Sequence, residues 1–252
     1  MSGSARRVLV TGGSRGIGAA IAREFAAAGD RVAVHGSSAG GAADSVRDGL
    51  AGTGHVVVSA DLRDPIAVRE MVDEAADALG GLDVLVNNAG IFTAHPIESV
   101  DYATWQQEWA DILAVNLVGA ANVTWCALQH LQDHAGARIV NVGSRGAFRG
   151  EPESPAYGAS KAALAAFGQS IAKALAPRGI AVTTLAPGFV DTDMAAELLD
   201  GPQGEGIRAQ SPFNRVPTAQ EVARAVMFLA SADAEWASGA VLDFNGASYL
   251  RL

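Results

Sequence analysis

Cysteine is almost absent: Cys126 is the single one in 252 residues. No intrachain disulfide and no multi-cysteine metal site can form, and such a chain suits a reducing compartment, so the cytoplasm is the expected location. Basic residues are also scarce, with 18 Lys and Arg against 27 Asp and Glu, a net charge of -9 and a pI near 5.0. The arginines are scattered, leaving no basic face to neutralise a phosphate backbone, and nucleic acid is not expected as a partner. The five histidines show no metal-ligand spacing, so no metal is expected either. The segment from Met1 to Arg7 runs straight into Val8-Leu-Val, without the apolar stretch and cleavage site of a signal peptide.

One long stretch lacks charge altogether. Ile112 to Gln132 contains no Asp, Glu, Lys or Arg and is long enough to span a bilayer. Asn116, Asn122, Thr124, Gln129, His130 and Gln132 would each be costly in hydrocarbon, so the stretch reads as a helix buried in the protein or in a subunit contact, and no membrane is expected.

What the chain does have is apolar content, 49% hydrophobic against 18% charged residues, with a mean hydropathy of +0.19. That favours a large filled core, and no Pro/Ser-rich linker divides it, so residues 1–252 read as a single domain. Short β-rich runs begin at Arg7, Arg31, His55, Leu82, Arg138, Ile180 and Ala240. Helical stretches are predicted near 16–28, 41–51, 65–79, 101–131, 155–176 and 219–230, started by Asp101, Ser154-Pro155 and Thr218 and stopped by Gly29 and Gly179. Runs apolar on both faces, joined by helices long enough for crossovers, predict an α/β doubly wound parallel sheet, a Rossmann fold of about seven strands. Ligands of such sheets bind beyond the carboxyl ends of the strands.

Gly12 to Gly18, Asn87 to Gly90, Gly143 to Ser144 and Pro187 to Thr192 all follow strands there. Gly12, Gly16 and Gly18, in Thr11-Gly-Gly-Ser-Arg-Gly-Ile-Gly18, lie between the first strand and first helix, where missing side chains permit a tight turn and close approach of a pyrophosphate to the helix N-terminus. Tyr157-Gly-Ala-Ser-Lys161 follows Ser144 by thirteen residues and supplies a phenol, a cation and a hydroxyl for one carbonyl oxygen. With only two lysines and three tyrosines in the chain, a Tyr/Lys pair four apart arises by chance in roughly one such chain in fifty. The two lie one helical turn apart, so the ammonium is expected to draw the phenol below its ordinary value near ~10.

Taken with Asp61, Asn87-Asn-Ala-Gly90, Asn116 and Pro187-Gly-Phe-Val-Asp-Thr192, these motifs resemble the short-chain dehydrogenase/reductase family, closest to its 3-oxoacyl-(acyl carrier protein) reductase branch, from about Arg7 to Leu252. The resemblance implies an oxidoreductase acting on a ketone or secondary alcohol. Tyr157 is then the general acid/base, Ser144 orients the substrate oxygen, and Lys161 assists Tyr157 and holds the nicotinamide ribose. Asn116 is implied in a helix distortion that holds water in a proton relay. The resemblance also implies cofactor contacts from Gly12, Ser14, Arg15, Gly16, Ile17 and Gly18 in the glycine loop and from Asp61 and Leu62 beside the adenine. Asn88, Ala89 and Gly90 would pass the adenosine, and Pro187, Gly188, Val190 and Thr192 the nicotinamide.

The cofactor expected is NADP(H), with NAD(H) possible. After the second strand the chain reads His35-Gly-Ser-Ser38, with no carboxylate to repel a 2'-phosphate, while Arg15 matches the basic residue of NADP-dependent relatives and Ser37 offers a second ligand. Residues 193–217, rich in Gly and Pro, sit where the family closes over substrate and are expected to form a lid. The resemblance further implies a homotetramer. The substrate is expected to be a small carbonyl compound or a 3-oxoacyl thioester, free rather than carried by an acidic protein, because Gln132-Asp-His-Ala-Gly-Ala137 lacks half of the basic patch of carrier-protein-dependent relatives, Lys173 and Arg178 being the half that remains. Two other classes remain, a nucleotide-sugar dehydratase or epimerase and a non-catalytic NADP(H)-sensing regulator. The first wants a larger C-terminal substrate region, and Ser144, Tyr157 and Lys161 together argue against the second. Trp105 and Trp109 read as packing residues, and His95 and Arg149 as solvent-exposed loop residues.

Overall fold

The structure, a computed structural model, describes residues 5–131 and 136–251, apart from the side chains of Asp193 and Met194. Gln132 to Ala135, most of the stretch noted for lacking basic residues, lies outside the described residues.

Seven strands form one sheet: β1 (Arg7–Val10), β2 (Arg31–Gly36), β3 (Val56–Ser59), β4 (Val84–Asn87), β5 (Arg138–Val142), β6 (Ala181–Pro187) and β7 (Val241–Phe244). Their order is β3-β2-β1-β4-β5-β6-β7, and every neighbouring pair is parallel. The order reverses between β1 and β4, which opens a crevice at their carboxyl ends. The helices are α1 (Gly16–Ala27), α2 (Ala42–Asp48), α3 (Pro65–Leu79), α4 (Tyr102–Leu113), α5 (Ala120–Ala127), α6 (Gly146–Arg149), α7 (Pro155–Leu175), α8 (Asp193–Asp200), α9 (Gly204–Ala209) and α10 (Ala219–Leu229).

Alternation along each strand sends side chains to two cores. Val8, Val10, Val32 and Val34 pack with Ile21, Phe25 and Val226 from α1 and α10. Leu9, Ala33, Leu85 and Ile139 pack with Val68, Val72, Val123 and Leu175 from α3, α5 and α7. Most of these side chains are fully buried, and a fully buried Val, Leu, Ile or Phe contributes about 1.5–3 kcal/mol. The core therefore fixes the strand ends, which carry the site.

The helix starts obey local chemistry. Asp101 accepts from the Thr104 N–H, and Thr218 with Glu221 forms a reciprocal capping box. Ser154 stands at the predicted start of α7 but makes no side-chain cap; Pro155 supplies the helical φ there instead. The helix predicted over 101–131 is not uniform, because Ala114–Gly119 between α4 and α5 is π-helical and carries Asn116. Such a widening is frequent at functional sites. The stretch Tyr102–Ala127 is long and apolar enough to cross a membrane by composition alone. Here it buries Ile112, Asn116, Val123 and Thr124 against the rest of the fold and leaves Tyr102, Val118 and Trp125 exposed. Residues 193–217 contain the two short helices α8 and α9, anchored by Leu199 and Ile207.

Candidate active site

The glycine loop is built to bring backbone together. Gly12 adopts φ +63°, which an L side chain rarely adopts, and a Cβ there would stand 2.8 Å from Ala89 Cα. A Cβ on Gly18 would run into the Gly12 carbonyl and stand 2.5 Å from Asn88 Nδ2. Asn88 ties the loop to the end of β4, its Nδ2 donating to the carbonyls of Thr11 (2.9 Å) and Gly12 (3.1 Å). Thr11 Oγ1 in turn accepts from the Asn88 and Ala89 N–H groups. At the end of β4 itself, Asn87 Nδ2 donates to Thr124 Oγ1 and Asn141 Oδ1, joining β4 to α5 and β5.

This frame holds open a groove of about 490 Å³ at the switch point. Gly12, Ser14, Arg15, Gly16, Ile17 and Gly18 line one side; Asp61, Leu62, Asn88, Ala89 and Gly90 line another, with Ser37 and Thr192 at its edges. All of these are residues predicted from sequence. Arg15 is exposed and makes no ion pair among the described residues. Thr192 approaches Gly16, its Cγ2 3.6 Å from where a Cβ would sit. A groove edged by a glycine loop packed too tightly to admit a methyl at Gly18 fits a dinucleotide, with its phosphates at the start of α1.

Five lining residues were not predicted from sequence, His35, Ala60, Arg63, Ile91 and Val115, and two of them carry polar contacts that shape the groove. His35, 2% exposed, accepts the Gly12 N–H at Nδ1 (3.0 Å) and is bound to the Ala60 carbonyl through Nε2 (3.0 Å). With Nδ1 accepting, Nε2 must carry the proton, so a neutral imidazole holds the glycine loop against β2 and β3. Burial pushes its pKa down, against the Ala60 hydrogen bond. Arg63 grips Asp61 with Nε 3.0 Å from both carboxylate oxygens and Nη2 2.6 Å from Oδ2, and its side-chain hydrogen bond holds the carboxyl below the usual range. The Asp61 carboxylate at the expected adenine end is thus already paired. Its neighbour two residues on was a signal available in the sequence; the His35 contact, across strands, was not.

Ser144, Tyr157, Lys161 and Asn116 gather beside Gly90, which lines the groove. Ser144 follows β5, and its Oγ accepts the Gly146 N–H at 3.0 Å. Tyr157 and Lys161 lie on α7, with Lys161 Nζ 5.8 Å from the Tyr157 ring centroid and donating to the Val142 carbonyl at 2.9 Å. Asn116 Oδ1 accepts the Ile91 N–H (2.8 Å), while Nδ2 donates to the Ile91 carbonyl (3.0 Å) and Ser160 Oγ (3.1 Å). Asn116 Oδ1 and Lys161 Nζ flank Gly90, each 3.3 Å from where its Cβ would be, so the glycine leaves room for both.

The electrostatics correct one expectation. Burial pushes the Tyr157 phenol up, opposed by a hydrogen bond from Ser144 and reinforced by the Glu151 charge, while burial brings Lys161 down to about 8. The expected lowering of the phenol by the ammonium is not what the pocket does: desolvation of the phenolate is the largest influence, and Nζ spends a hydrogen bond on Val142. A second correction concerns His95, expected in solvent. It is fully buried, its Nε2 accepting the Ala156 N–H at 3.2 Å and its Nδ1 bonded to the Thr93 carbonyl at 2.8 Å, so it holds the loop after β4 against the start of α7. Its ring also meets Trp105 edge-on at 5.7 Å. Arg149, expected in a loop, closes the short helix α6.

After β6, Pro187 ends the sheet and its carbonyl accepts the Arg145 N–H at 2.8 Å. Gly188 packs on Asn245, 3.2 Å from its Cβ position. Val190 is 7% exposed with its side chain in the core, so a contact from that position to a ligand in the groove falls to its backbone.

Comparison with known proteins agrees with this fold. Residues 6–203 match the family model of the short chain dehydrogenases. The chain is 37% identical over 242 residues to the 3-oxoacyl-(acyl-carrier-protein) reductase FabG of Escherichia coli (strain K12), covering 96% of each chain. A short chain dehydrogenase from Burkholderia cenocepacia J2315, solved in complex with NADP, superposes with a TM-score of 0.86 at 37% identity, over 96% of this chain and 97% of that one. A short-chain dehydrogenase/reductase of Brucella melitensis, described as a glucose/ribitol dehydrogenase, superposes with a TM-score of 0.89 at 29% identity, over 98% and 97%.

Proposed function

The chain belongs to the short-chain dehydrogenase/reductase family, and on that premise we propose that it is an NADP(H)-dependent oxidoreductase that interconverts a small ketone and its secondary alcohol, with Tyr157 as general acid/base. The observation that carries this reading is that Ser144, Tyr157, Lys161 and Asn116 gather around Gly90, at the margin of a groove lined by the glycine loop. The preference for NADP(H) over NAD(H) rests on Arg15, exposed and free of ion pairs among the described residues, facing a groove edge at Ser37 where no carboxylate follows β2. The Burkholderia cenocepacia relative with NADP supports the same choice.

The nicotinamide, when bound, supplies a hydride to the carbonyl carbon in reduction and accepts one in oxidation. The chain's own residues manage the oxygen. Ser144 Oγ donates a hydrogen bond to it and fixes its direction, and Tyr157 Oη gives the proton that turns the developing alkoxide into a hydroxyl. The raised phenol suits this donor role at neutral pH. Lys161, with Asn116 in the π-helical segment, returns a proton to Tyr157 from solvent. In the oxidative direction each transfer reverses. Water is kept from the reacting atoms by Phe92, whose ring meets Tyr157 edge-on at 5.2 Å, and by residues 193–217 acting as a lid through α8 and α9.

The substrate is a free carbonyl compound or a 3-oxoacyl thioester rather than a carrier-protein conjugate, since a chain of net charge -9 repels another acidic protein. Tyr102, Val118 and Trp125, exposed on the α4 to α5 face, support assembly as a homotetramer, and the cytoplasm is the proposed location. The test is NADPH oxidation across a panel of carbonyl compounds with the native chain and Tyr157→Phe. The native chain turns over; the variant, folded and still binding cofactor, loses about 100-fold or more. Near-normal turnover by the folded variant removes Tyr157 from its role, and no turnover of any carbonyl by the native chain removes the enzyme reading.

A further inference from the structure

Arg145, the residue after Ser144, has a burial that the reaction as described does not use. It is 3% exposed, yet it makes no ion pair with a carboxylate among the described residues. Its guanidinium donates to two neutral oxygens, Ser248 Oγ and Gln210 Oε1, each at 2.5 Å, and lies 5.6 Å from the Phe189 ring centroid. A guanidinium taken out of water without a counter-charge is costly, and structures keep one where an anion completes it or where the geometry serves another end.

The surroundings point to the anion. Arg149, one turn on, donates from Nη1 to the same Gln210 Oε1 at 3.4 Å. Two guanidinium groups therefore converge on one amide oxygen, an acceptor without charge in the place where a carboxylate oxygen would be held more strongly. Glu151, whose charge also acts on Arg145, is engaged by Arg149, with Nε to Oε1 at 3.2 Å, so the three side chains together retain one positive charge. The cluster adjoins the proposed chemistry. Glu151 touches the space beside Gly146, two residues after Ser144, and Gly158, next to Tyr157, and its charge reaches the Tyr157 phenol. Gln210 itself closes α9 on the segment proposed as the lid, so it can withdraw with that segment.

We propose that Arg145 and Arg149 form a carboxylate-binding subsite beside Ser144, so that the preferred substrate is a small oxo acid, or the matching hydroxy acid, whose carboxylate takes the place of Gln210 Oε1. This rests on the oxidoreductase reading above and names its substrate class. Arg145 supplies a planar fork for the carboxylate and Arg149 the outer contact.

The test compares kcat/KM for a panel of 2-, 3- and 4-oxo acids with that for their methyl esters, which keep the ketone and lose the charge. A second readout is the thermal shift of the NADP-loaded protein on adding succinate or glutarate at constant ionic strength. At least one oxo acid is expected to exceed its ester by about tenfold or more. In Arg145→Gln that ratio falls toward one and the dicarboxylate-dependent shift disappears; in Arg149→Gln, where the side chain is 28% exposed and folding is not at stake, both fall in part. Esters turned over as well as acids, with no dicarboxylate shift, overturn the subsite and leave the oxidoreductase reading standing. Turnover of neither acids nor esters, with neutral ketones reduced, likewise overturns it. An acid preference unchanged in both variants shows that the anion is recognised elsewhere and also overturns the assignment.

Discussion

Lys161→Met is the substitution whose consequence can be worked furthest from the structure. Lys161 is 4% exposed, and burial lowers it from 10.5 to about 8. The folded chain therefore binds the lysine proton less tightly than the unfolded chain, the opposite of a lysine gaining a carboxylate partner. Its charge is a cost to folding that is fully present below pH 8 and is relieved as pH rises toward the unfolded value. Linkage puts that cost at about 3 kcal/mol at pH 7 and under about 1 kcal/mol at pH 10. Removing the amine also leaves the Val142 carbonyl without its 2.9 Å donor, but that loss is the same at both pH values and cancels in the difference. Urea unfolding of native and variant chains, without cofactor and at one fixed protein concentration, should thus show the native chain gaining about 2–3 kcal/mol relative to the variant between pH 7 and pH 10. Parallel pH trends for the two chains would refute the buried, depressed lysine and with it the account of how Tyr157 and Lys161 share the pocket.

Gly18→Ala should weaken binding of NADPH and NADH alike by about 100-fold or more in a fluorescence titration, because its methyl meets the Gly12 carbonyl and Asn88 in the phosphate cradle; native-like binding would mean the cofactor lies elsewhere. Arg15→Gln should cost NADPH about 10- to 150-fold in affinity and leave NADH within about twofold, from the loss of one charge-assisted contact to the 2'-phosphate; equal losses for both would remove Arg15 from that role. Light scattering at micromolar concentration should give four times the 25.7 kDa chain mass, and a monomer would remove the argument from the exposed α4 to α5 face. A 3-oxoacyl group presented on acyl carrier protein should have no higher kcat/KM than on a small thioester mimic, and a strong, salt-sensitive advantage for the conjugate would contradict the charge argument.

Much of this protein is written in local spacing. Apolar alternation and crossover-length helices named the parallel sheet, and the carboxyl ends of its strands located the glycine loop, Asn88 to Gly90 and Ser144, because a strand's end and the turn after it are neighbours in sequence as well as in space. Tyr157 and Lys161 were legible as a pair for the same reason, standing one turn apart on α7. What tertiary structure alone decided is the state of those groups. Whether Lys161 lowers its neighbour depends on how much water the fold strips from both, and on the Val142 carbonyl nineteen residues away. His35 reaches Gly12 across 23 residues, His95 reaches Ala156 across 61, and Arg145 reaches Gln210 and Ser248 across 65 and 103. No window of sequence contains both partners of such a contact. A histidine in a loop-like stretch reads as solvated, and an arginine after a serine reads as surface charge, until the packing of distant segments removes the water and supplies the acceptors. The sequence alone determined which reactive groups the chain carries; desolvation and long-range hydrogen bonding, which exist only in the folded chain, decided how each group is held and charged.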